Sequence, residues 1–404
     1  MKKDKVWTQE FISMTAINSM FTIIFFLFIV TITPYAKEEF NVSISTAGLA
    51  ASIFVIGSLF GRLFSGGWIE RYGPIRVLER SLILFIVIST CYFLVVNIES
   101  LLIVRIIQGF ATGLISTATG TVSMQAIPAS RRAEGISYYS SSAVIGAAIG
   151  PFVGIYFLSL DNGHNWIFTL NVLAGLASFV MLKLSKKHIS AFNVIAKQEK
   201  RRLSFHRIIE VKALPISIVA LLFAFCFSGV TSYLVTYSQA IQLTEVASYY
   251  FLVHATCIIC TRFFTGRWID KKGASIVIYP CLILFAGGFL LYSQAYYWWV
   301  FLLAAGCIST AFGNFNSGGH TLAVKYIEPH RIGMATATYY MSFDIGSGLG
   351  PYVLGVLIEQ AGYRTMYIIV AIVALLTIPI YYYYYSRKPK TKLKAKASIP
   401  LNQI

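Results

Sequence analysis

The chain of 404 residues is short of charge. Only 12% of its residues are Asp, Glu, Lys or Arg, which is about half the share in ordinary globular domains, while 57% are hydrophobic. Mean hydropathy is +0.69. The surface of a soluble domain of this size needs more charge, so the composition excludes an ordinary water-soluble protein.

Acidic residues are the scarcest, with 16 Asp and Glu against 33 Lys and Arg, which gives a net charge of +17. If the N-terminus is cytoplasmic, all of the basic residues except Lys37, Arg105 and Arg364 lie in cytoplasmic segments or at the adjacent helix ends. This bias is the positive-inside rule, and it predicts that both termini are cytoplasmic. Nucleic-acid binding is disfavoured because no soluble domain is large enough to present a basic face.

Cysteine is also sparse, and all six cysteines fall in predicted membrane spans. Cys257 and Cys260 form a CxxC pair, but no second pair or histidine cluster at metal-ligand spacing accompanies it. We therefore interpret the cysteines as small apolar packing residues. We expect no metal site and no cofactor.

Long apolar runs are what the chain has in place of charge. Residues 12–35 contain no charged side chain, and about 20 such residues form a helix that spans a bilayer. The runs are continuous rather than alternating, which disfavours a transmembrane barrel. They predict twelve helical spans near residues 11–36, 44–66, 78–97, 100–125, 137–160, 165–184, 214–240, 244–266, 275–294, 296–323, 334–359 and 363–385.

An octapeptide occurs twice, as GGWIERYG at 66–73 and GRWIDKKG at 266–273. Other residues repeat at the same offset of two hundred, and they include Arg62 and Arg262, Gly146 and Gly346, Gly150 and Gly350, and Pro151 and Pro351. A shared offset indicates a duplicated half. We predict bundles of six helices at 1–184 and 214–385, a cytoplasmic linker at 185–213 and a cytoplasmic tail at 386–404.

Both copies of the octapeptide are predicted to lie in short loops on one side of the membrane, after the second span of each half. We expect Gly66 to allow close helix approach, and Gly73 to adopt a turn that a residue with a Cβ disfavours. Glu70 and Arg71 can bind neighbouring helix ends and form a conformational latch. The second copy supplies Gly266, Asp270 and Gly273. The alternative interpretation is a loop whose charges only set topology.

The first octapeptide resembles the loop signature of the major facilitator superfamily, Gly-x-x-x-Asp-Arg-x-Gly, with Glu70 in place of Asp. The stretch LLIVRIIQGFATG at 101–113 resembles the superfamily's fourth-helix motif, Arg-x-x-Gln-Gly. The resemblance implies that Arg105 assists proton movement or contacts substrate. The alternative is that Arg105 extends toward the outer headgroups.

The fifth span carries SSAVIGAAIGPFVGIY, in which Gly146, Gly150 and Gly154 recur every four residues on one helix face. Small residues at this spacing allow a partner helix to pack closely, and Pro151 removes one backbone donor. The stretch is similar to the superfamily's antiporter motif, with Ile155 in place of its last glycine. The resemblance implies an all-α polytopic fold of two six-helix bundles in parallel repeat, and an exporter of the drug:proton antiporter type.

Coupling to protons needs a titratable group within the membrane, and two residues qualify. Asp344 lies about 10 residues into its span, which is roughly 15 Å deep. An acid at this depth indicates a functional role, although it could instead pair two helices. His254 lies at a similar depth and could carry a proton, or it could be a hydrogen-bonded core residue.

Polar side chains on the apolar spans predict a substrate cavity, with Asn18, Ser232, Gln239, Asn314, Asn316 and Tyr340 as its candidate lining. Cationic groups outnumber the one deep acid, Asp344, which favours a neutral, zwitterionic or carboxylate-bearing solute such as a metal-chelating metabolite. A hydrophobic drug is the alternative.

Among function classes, a secondary transporter fits the pattern best. We find no catalytic triad, no HExxH motif and no paired carboxylates within a span, which disfavours an enzyme, and no pore ring that would favour a channel. No P-loop occurs, so an ion gradient must drive transport. We predict a monomeric, proton-coupled exporter of a small molecule in a bacterial cell membrane, with an importer or a multidrug efflux protein as alternatives.

Overall fold

The structure is a computed structural model that describes residues 6–128, 131–189, 209–325, 327 and 332–386. Long helices dominate this part of the chain. In order they are α1 (Gln9–Phe40), α2 (Ile44–Tyr72), α3 (Pro74–Thr90), α4 (Ile98–Ala126), α5 (Arg132–Leu158), α6 (Gly163–Ile189), α7 (Leu214–Ala240), α8 (Thr244–Lys272), α9 (Ser275–Ser293), α10 (Trp298–Lys325) and α11 (Ile332–Tyr381).

Helix α11 covers two of the predicted spans, and a break in the helix separates them. Gly362 has non-helical backbone angles (φ 78°, ψ 167°) and divides the helix between the eleventh and twelfth spans. A helical segment therefore occupies each of the twelve predicted spans. Within the described residues, nine helices are long and apolar enough to cross a membrane, and one of them, Met334–Tyr384, covers both sides of the break. The prediction of an all-α polytopic membrane protein is confirmed.

The placement of the octapeptides in loops is wrong. Helix α2 continues through Tyr72 and ends at Gly73, whose φ is 84°, and α8 continues to Lys272 and ends at Gly273, whose φ is 89°. Each octapeptide is thus the last two turns of a helix, and only its final glycine is a turn residue. The expected turn at Gly73 is present, because a glycine adopts this left-handed backbone without steric cost.

Gly66 does not mediate the close helix contact that the sequence suggested. A Cβ built on Gly66 would meet no atom within 4 Å. The close helix crossing of α2 lies further back along the helix, where a Cβ on Gly57 or Gly61 would lie 2.2 Å from a backbone carbonyl oxygen of α4. The hydrophobic face of α2 therefore packs on α4 through glycines that the repeat did not mark.

Two hydrophobic cores correspond to the two halves of the chain. One is formed by residues of α1–α6 and includes Leu82 and Leu114, and the other is formed mainly by residues of α7–α11 and includes Phe223 and Phe289. Helix α1 packs on α5 in the first half, and α7 packs on α11 in the second. The halves meet where α2 contacts α11, where α5 contacts α8 and where α1 contacts α7.

The predicted domain boundaries stay predictions. Helix α6 extends past residue 184 to Ile189, and a short 3-10 turn, Val211–Ala213, precedes α7. Residues 190–208 of the predicted linker and 387–404 of the predicted tail lie outside the described residues.

Candidate substrate cavity and coupling site

A cavity of about 300 Å³ lies between the two halves. Its walls come from α1, α2 and α4 on one side and from α7, α10 and α11 on the other. Seven of the nineteen described lining residues are phenylalanines, namely Phe21, Phe25, Phe26, Phe54, Phe227, Phe312 and Phe343. Amide and hydroxyl groups break up this surface, namely Asn18, Thr22, Ser58, Thr112, Ser116, Ser228, Thr231 and Ser347.

The phenylalanine rings of the lining contact each other within and across helices. Phe25 of α1 lies 5.7 Å from Phe54 of α2, measured between ring centroids. Phe227 of α7 stacks on Phe312 of α10 at 3.7 Å, and Phe312 lies 5.7 Å from Phe343 of α11. Two aromatic walls thus face the cavity, one from each half, and such walls favour flat or apolar ligand groups.

One ion pair lies in this aromatic cavity and joins the two halves. Arg62 of α2 donates a hydrogen bond from Nη1 to Oδ2 of Asp344 on α11. Both residues line the cavity, and their side chains are 40% and 18% exposed. Asp344 is the only carboxylate among the described residues of the lining. The sequence singled out Asp344, but it marked Arg62 only as a repeated position.

Arg105 lies inside the first bundle rather than at the headgroups. Its side chain is 2% exposed, and its Nε donates to the backbone oxygen of Ala50 at 2.9 Å. Its Nη1 donates to Gln108 Oε1 at 3.2 Å and to the Tyr92 hydroxyl at 3.4 Å. Within the described residues no carboxylate pairs with it. A buried guanidinium held by neutral acceptors is a costly group to retain.

A phenylalanine separates Arg105 from the main cavity. The Arg105 guanidinium carbon lies 4.3 Å from the ring centroid of Phe54, and that ring also lines the cavity. Arg105 and Phe54 line a smaller recess next to the cavity. The arginine therefore contacts the cavity wall through a cation–π interaction with Phe54.

His254 of the second half, like Arg105 of the first, is buried next to the aromatic lining of the cavity. It is 3% exposed, its Nδ1 lies 2.8 Å from Ser309 Oγ, and its ring stacks on Phe227 at 5.5 Å. Phe312 lies 6.1 Å away on another side. Since Phe227 and Phe312 line the cavity and His254 does not, the histidine lies behind the aromatic wall.

Of the six side chains predicted to line the cavity, the structure places Asn18 in the lining. Gln239 donates from Nε2 to Glu38 Oε1 at 3.4 Å, at the end of α7. Asn314 donates to Thr261 Oγ1 and accepts from Thr265 Oγ1, both at 2.8 Å, beside a separate groove of about 210 Å³ between α8, α9 and α10.

The other three predicted lining residues also lie outside the described cavity wall. The buried side-chain oxygens of Ser232 and Asn316 have no hydrogen-bond partner in the described part of the chain. Tyr340 is 41% exposed, and its ring lies 5.2 Å from His320. Single polar positions on a helix did not indicate which face meets the other half.

The predicted latch residues lie at the ends of α2 and α8. Glu70 and Arg71 are exposed, and the guanidinium carbon of Arg71 lies 5.2 Å from the Tyr72 ring. The surroundings of Gly266 and of the Asp270 side chain lie outside what the structure describes. The latch role of this end of the molecule stays a prediction.

The glycines of the predicted antiporter motif face α1. A Cβ on Gly146 would lie 2.5 Å from Thr22, a Cβ on Gly150 would lie 2.4 Å from the Ile23 carbonyl oxygen, and one on Gly154 would lie 2.8 Å from Thr31. Pro151 lies inside α5 on the same stretch. Because Thr22 also lines the cavity, this packing fixes the position of one cavity wall. The packing itself says nothing about the direction of transport.

Two hydrogen bonds join the halves on the side of the cavity away from the octapeptides. Glu359 of α11 accepts a hydrogen bond from the Ser45 backbone N–H at the start of α2, at 2.6 Å. One step closer to the cavity, the Tyr352 N–H donates to Ser52 Oγ at 3.2 Å. Helices α2 and α11 therefore contact each other from the start of α2 to the Arg62–Asp344 pair.

Comparison with known proteins gives one consistent result. The family model of the Major Facilitator Superfamily matches residues 14–274 and 246–402. A transporter of this type from Methanocaldococcus jannaschii, itself uncharacterised, is 24% identical over 380 residues, which are 90% of this chain and 92% of that protein. The staphylopine export protein of Staphylococcus aureus is 21% identical over 370 residues, covering 83% of this chain and 86% of that protein.

A shorter match and two solved structures complete the comparison. The quinolone resistance protein NorB of Staphylococcus aureus is 30% identical over 165 residues, which are 40% of this chain and 35% of that protein. A POT family transporter in complex with 5-aminolevulinic acid has a TM-score of 0.80 at 13% identity, over 93% of this chain and 96% of that one. The nucleoside transporter NupG with a D323A mutation has a TM-score of 0.73 at 13% identity, over 93% and 100%. The chain belongs to the Major Facilitator Superfamily, and it is a membrane transporter rather than an enzyme.

Proposed function

We propose that this transporter is a proton-coupled exporter of small amphiphilic molecules, with both termini in the cytoplasm. The observation that carries the proposal is the Arg62–Asp344 ion pair, because it places one titratable carboxylate in the wall of a cavity between two similar bundles. The bias of basic residues toward the octapeptide side supports the orientation.

The contacts between the halves support alternating access. Under the proposed orientation, the hydrogen bond between Glu359 and Ser45 joins α11 to α2 on the outer side of the cavity. Two parallel repeats that pivot about a shared site can expose it to each side in turn. The outer contacts must break, and others must form near the octapeptides, for the substrate to leave.

Asp344 is the proposed proton carrier. Its ionised form is held by Arg62, and protonation removes the charge that the guanidinium binds. Because the pair joins α2 to α11, the protonation state also changes the attraction between the two halves. Exchange follows if substrate binds while Asp344 is ionised and the proton binds after substrate has left on the outer side.

The cavity surface supports an amphiphilic substrate with a ring system. A volume of about 300 Å³ is at the lower end of the range for small-molecule sites, and seven of the nine apolar lining residues are phenylalanines. Export as the direction is supported by two relatives whose names state export of staphylopine and resistance to quinolones. The aromatic walls favour a second candidate within the same class, multidrug efflux of hydrophobic compounds.

Transport in inside-out vesicles with an acidic interior tests the proposal. We expect the fluoroquinolone norfloxacin to accumulate when the pH gradient is imposed, and a protonophore or Asp344→Asn to abolish this accumulation. The matched control is Lys183→Gln, which breaks the Glu79–Lys183 ion pair within the first half, away from the cavity. Accumulation that persists in Asp344→Asn contradicts coupling through this residue, and uptake equal to that of transporter-free vesicles contradicts export.

A further inference from the structure

The cavity presents one positive and one negative group side by side, and the rest of its described lining is uncharged. Arg62 and Asp344 both expose part of their side chains to the cavity. No charged side chain occurs on α7. On α10, the titratable His320 is hydrogen-bonded at 3.1 Å to Thr336, and Thr336 lies about two turns from Asp344 along α11. Arg62 is therefore the charged group that faces Asp344.

The charge of a substrate decides whether it can exchange with a proton at such a pair. A cation that binds Asp344 displaces Arg62 and adds a second positive charge to a cavity of low dielectric constant, which is unfavourable. An anion that binds Arg62 leaves Asp344 unpaired and so favours its protonation. Anion and proton would then bind together, which is the opposite of exchange. A neutral molecule discriminates little between the two protonation states.

A zwitterion behaves differently from these three classes. Its carboxylate can bind Arg62 while its ammonium group binds Asp344, so all four charges are paired and the net charge of the site stays at zero. Protonation of Asp344 gives the site a net charge of +1 whether or not the zwitterion is bound. In the empty cavity water can solvate the unpaired Arg62, whereas in the occupied cavity the ammonium group is left unpaired and out of contact with water, which is less favourable. Zwitterion and proton therefore exclude each other, as exchange requires.

We propose that the substrate carries an ammonium group and a carboxylate close together, as in an α-amino acid, on an aromatic or apolar body. The charged head binds between Arg62 and Asp344, and the body lies against the phenylalanine walls. This inference rests on the proposed function, since it uses the requirement for proton exchange.

Four compounds that share a naphthyl group and differ in the charge of the head group test the assignment. They are 2-naphthylalanine, which is a zwitterion, 2-(2-naphthyl)ethylamine, which is a cation, 3-(2-naphthyl)propanoic acid, which is an anion, and the neutral amide of that acid. Binding to the full chain in detergent is measured by equilibrium dialysis at pH 7.5. We expect the zwitterion to bind about tenfold more tightly than the other three, or better, since each charged hydrogen bond contributes a factor of this order.

Variants test whether Arg62 and Asp344 cause the preference for the zwitterion. Arg62→Gln should reduce binding of the zwitterion to that of the amine, and Asp344→Asn should reduce it to that of the acid. Lys183→Gln should leave the order of the four compounds unchanged. In the unmodified protein, acidification should weaken binding of the zwitterion more than that of the acid, and Asp344→Asn should remove this difference.

Several results overturn the assignment. These are equal or tighter binding of the amine or the acid, a preference for the zwitterion that survives both Arg62→Gln and Asp344→Asn, and binding of none of the four. Export is judged separately in inside-out vesicles. Gradient-driven accumulation of the amine with no accumulation of 2-naphthylalanine would retain the exporter and remove the zwitterion, whereas loss of gradient-driven accumulation for every probe would remove the exporter itself.

Discussion

Replacement of Gly150 by alanine should separate α5 from α1. In the structure a Cβ at this position would lie 2.4 Å from the Ile23 carbonyl oxygen and 2.9 Å from the Leu27 backbone nitrogen. Ordinary contacts begin near 3.4 Å, so the two helices must part by about 1 Å. Both atoms belong to the backbone of a packed helix and cannot turn away, as the end of a long side chain could.

The expected cost follows from this overlap. Overpacking of a buried contact costs about 1–3 kcal/mol, and the better helix propensity of alanine returns at most about 1 kcal/mol. Gly150→Ala should therefore lower the thermal unfolding temperature of the detergent-solubilised protein. It should also slow vesicle transport, because α1 carries Asn18 and Thr22 into the cavity and moves with the contact.

Gly287→Ala is the matched control. Gly287 lies inside α9, and a Cβ there would meet no atom within 4 Å, so the same chemical change should leave stability unchanged or raise it by up to about 1 kcal/mol. Equal unfolding temperatures and transport rates for the two variants would refute the reasoning. In that case the approach of α5 to α1 could not be as close as described.

Two further substitutions test the inner network and the outer contact. Arg105→Lys removes the guanidinium N–H groups that donate to neutral acceptors inside the first bundle. We expect the free energy of unfolding to fall by about 2 kcal/mol, with a lower unfolding temperature. An unchanged temperature would contradict the burial of this side chain. Glu359→Gln weakens the charged contact with the Ser45 N–H at the start of α2 by about 0.3–1 kcal/mol, which should favour the state open on that side. A cysteine introduced at Ser52, which is 1% exposed, should then react faster with an impermeant maleimide in Glu359→Gln than in the parent, and equal rates would count against an outer contact.

Hydropathy predicted the helices well because lipid imposes one requirement on every span. A backbone in lipid must satisfy its own hydrogen bonds, so a long apolar run has few alternatives to a helix. The depth of Asp344 could likewise be estimated from its distance along a regular helix. Its partner could not, because Arg62 lies 282 positions away and the contact depends on how two bundles meet.

The errors concern helix ends and helix faces. The octapeptides contain charges and glycines typical of a loop, yet the helix continues because only Gly73 and Gly273 need an unusual backbone. For His254 the sequence left a proton carrier and a hydrogen-bonded core residue open, because its burial behind Phe227 depends on the rotation of α8 against α7, which a helix with apolar residues on every side does not specify. The repeat of Arg62 at Arg262 was the one available signal that a residue before the octapeptide had a role.

The contact between α2 and α11 has a counterpart in the contact between α5 and α8. The two contacts are equivalent because a pseudo-twofold axis between the repeats relates α2 to α8 and α5 to α11. A homodimer of identical halves would carry the same residue on both sides of that axis. In this chain Asp344 corresponds to Val144, while both arginines are kept at Arg62 and Arg262. Among the described lining residues the chamber therefore carries its acid on one side of the axis only. Under the proposed function, the stoichiometry that this chamber supports is one proton for each turnover.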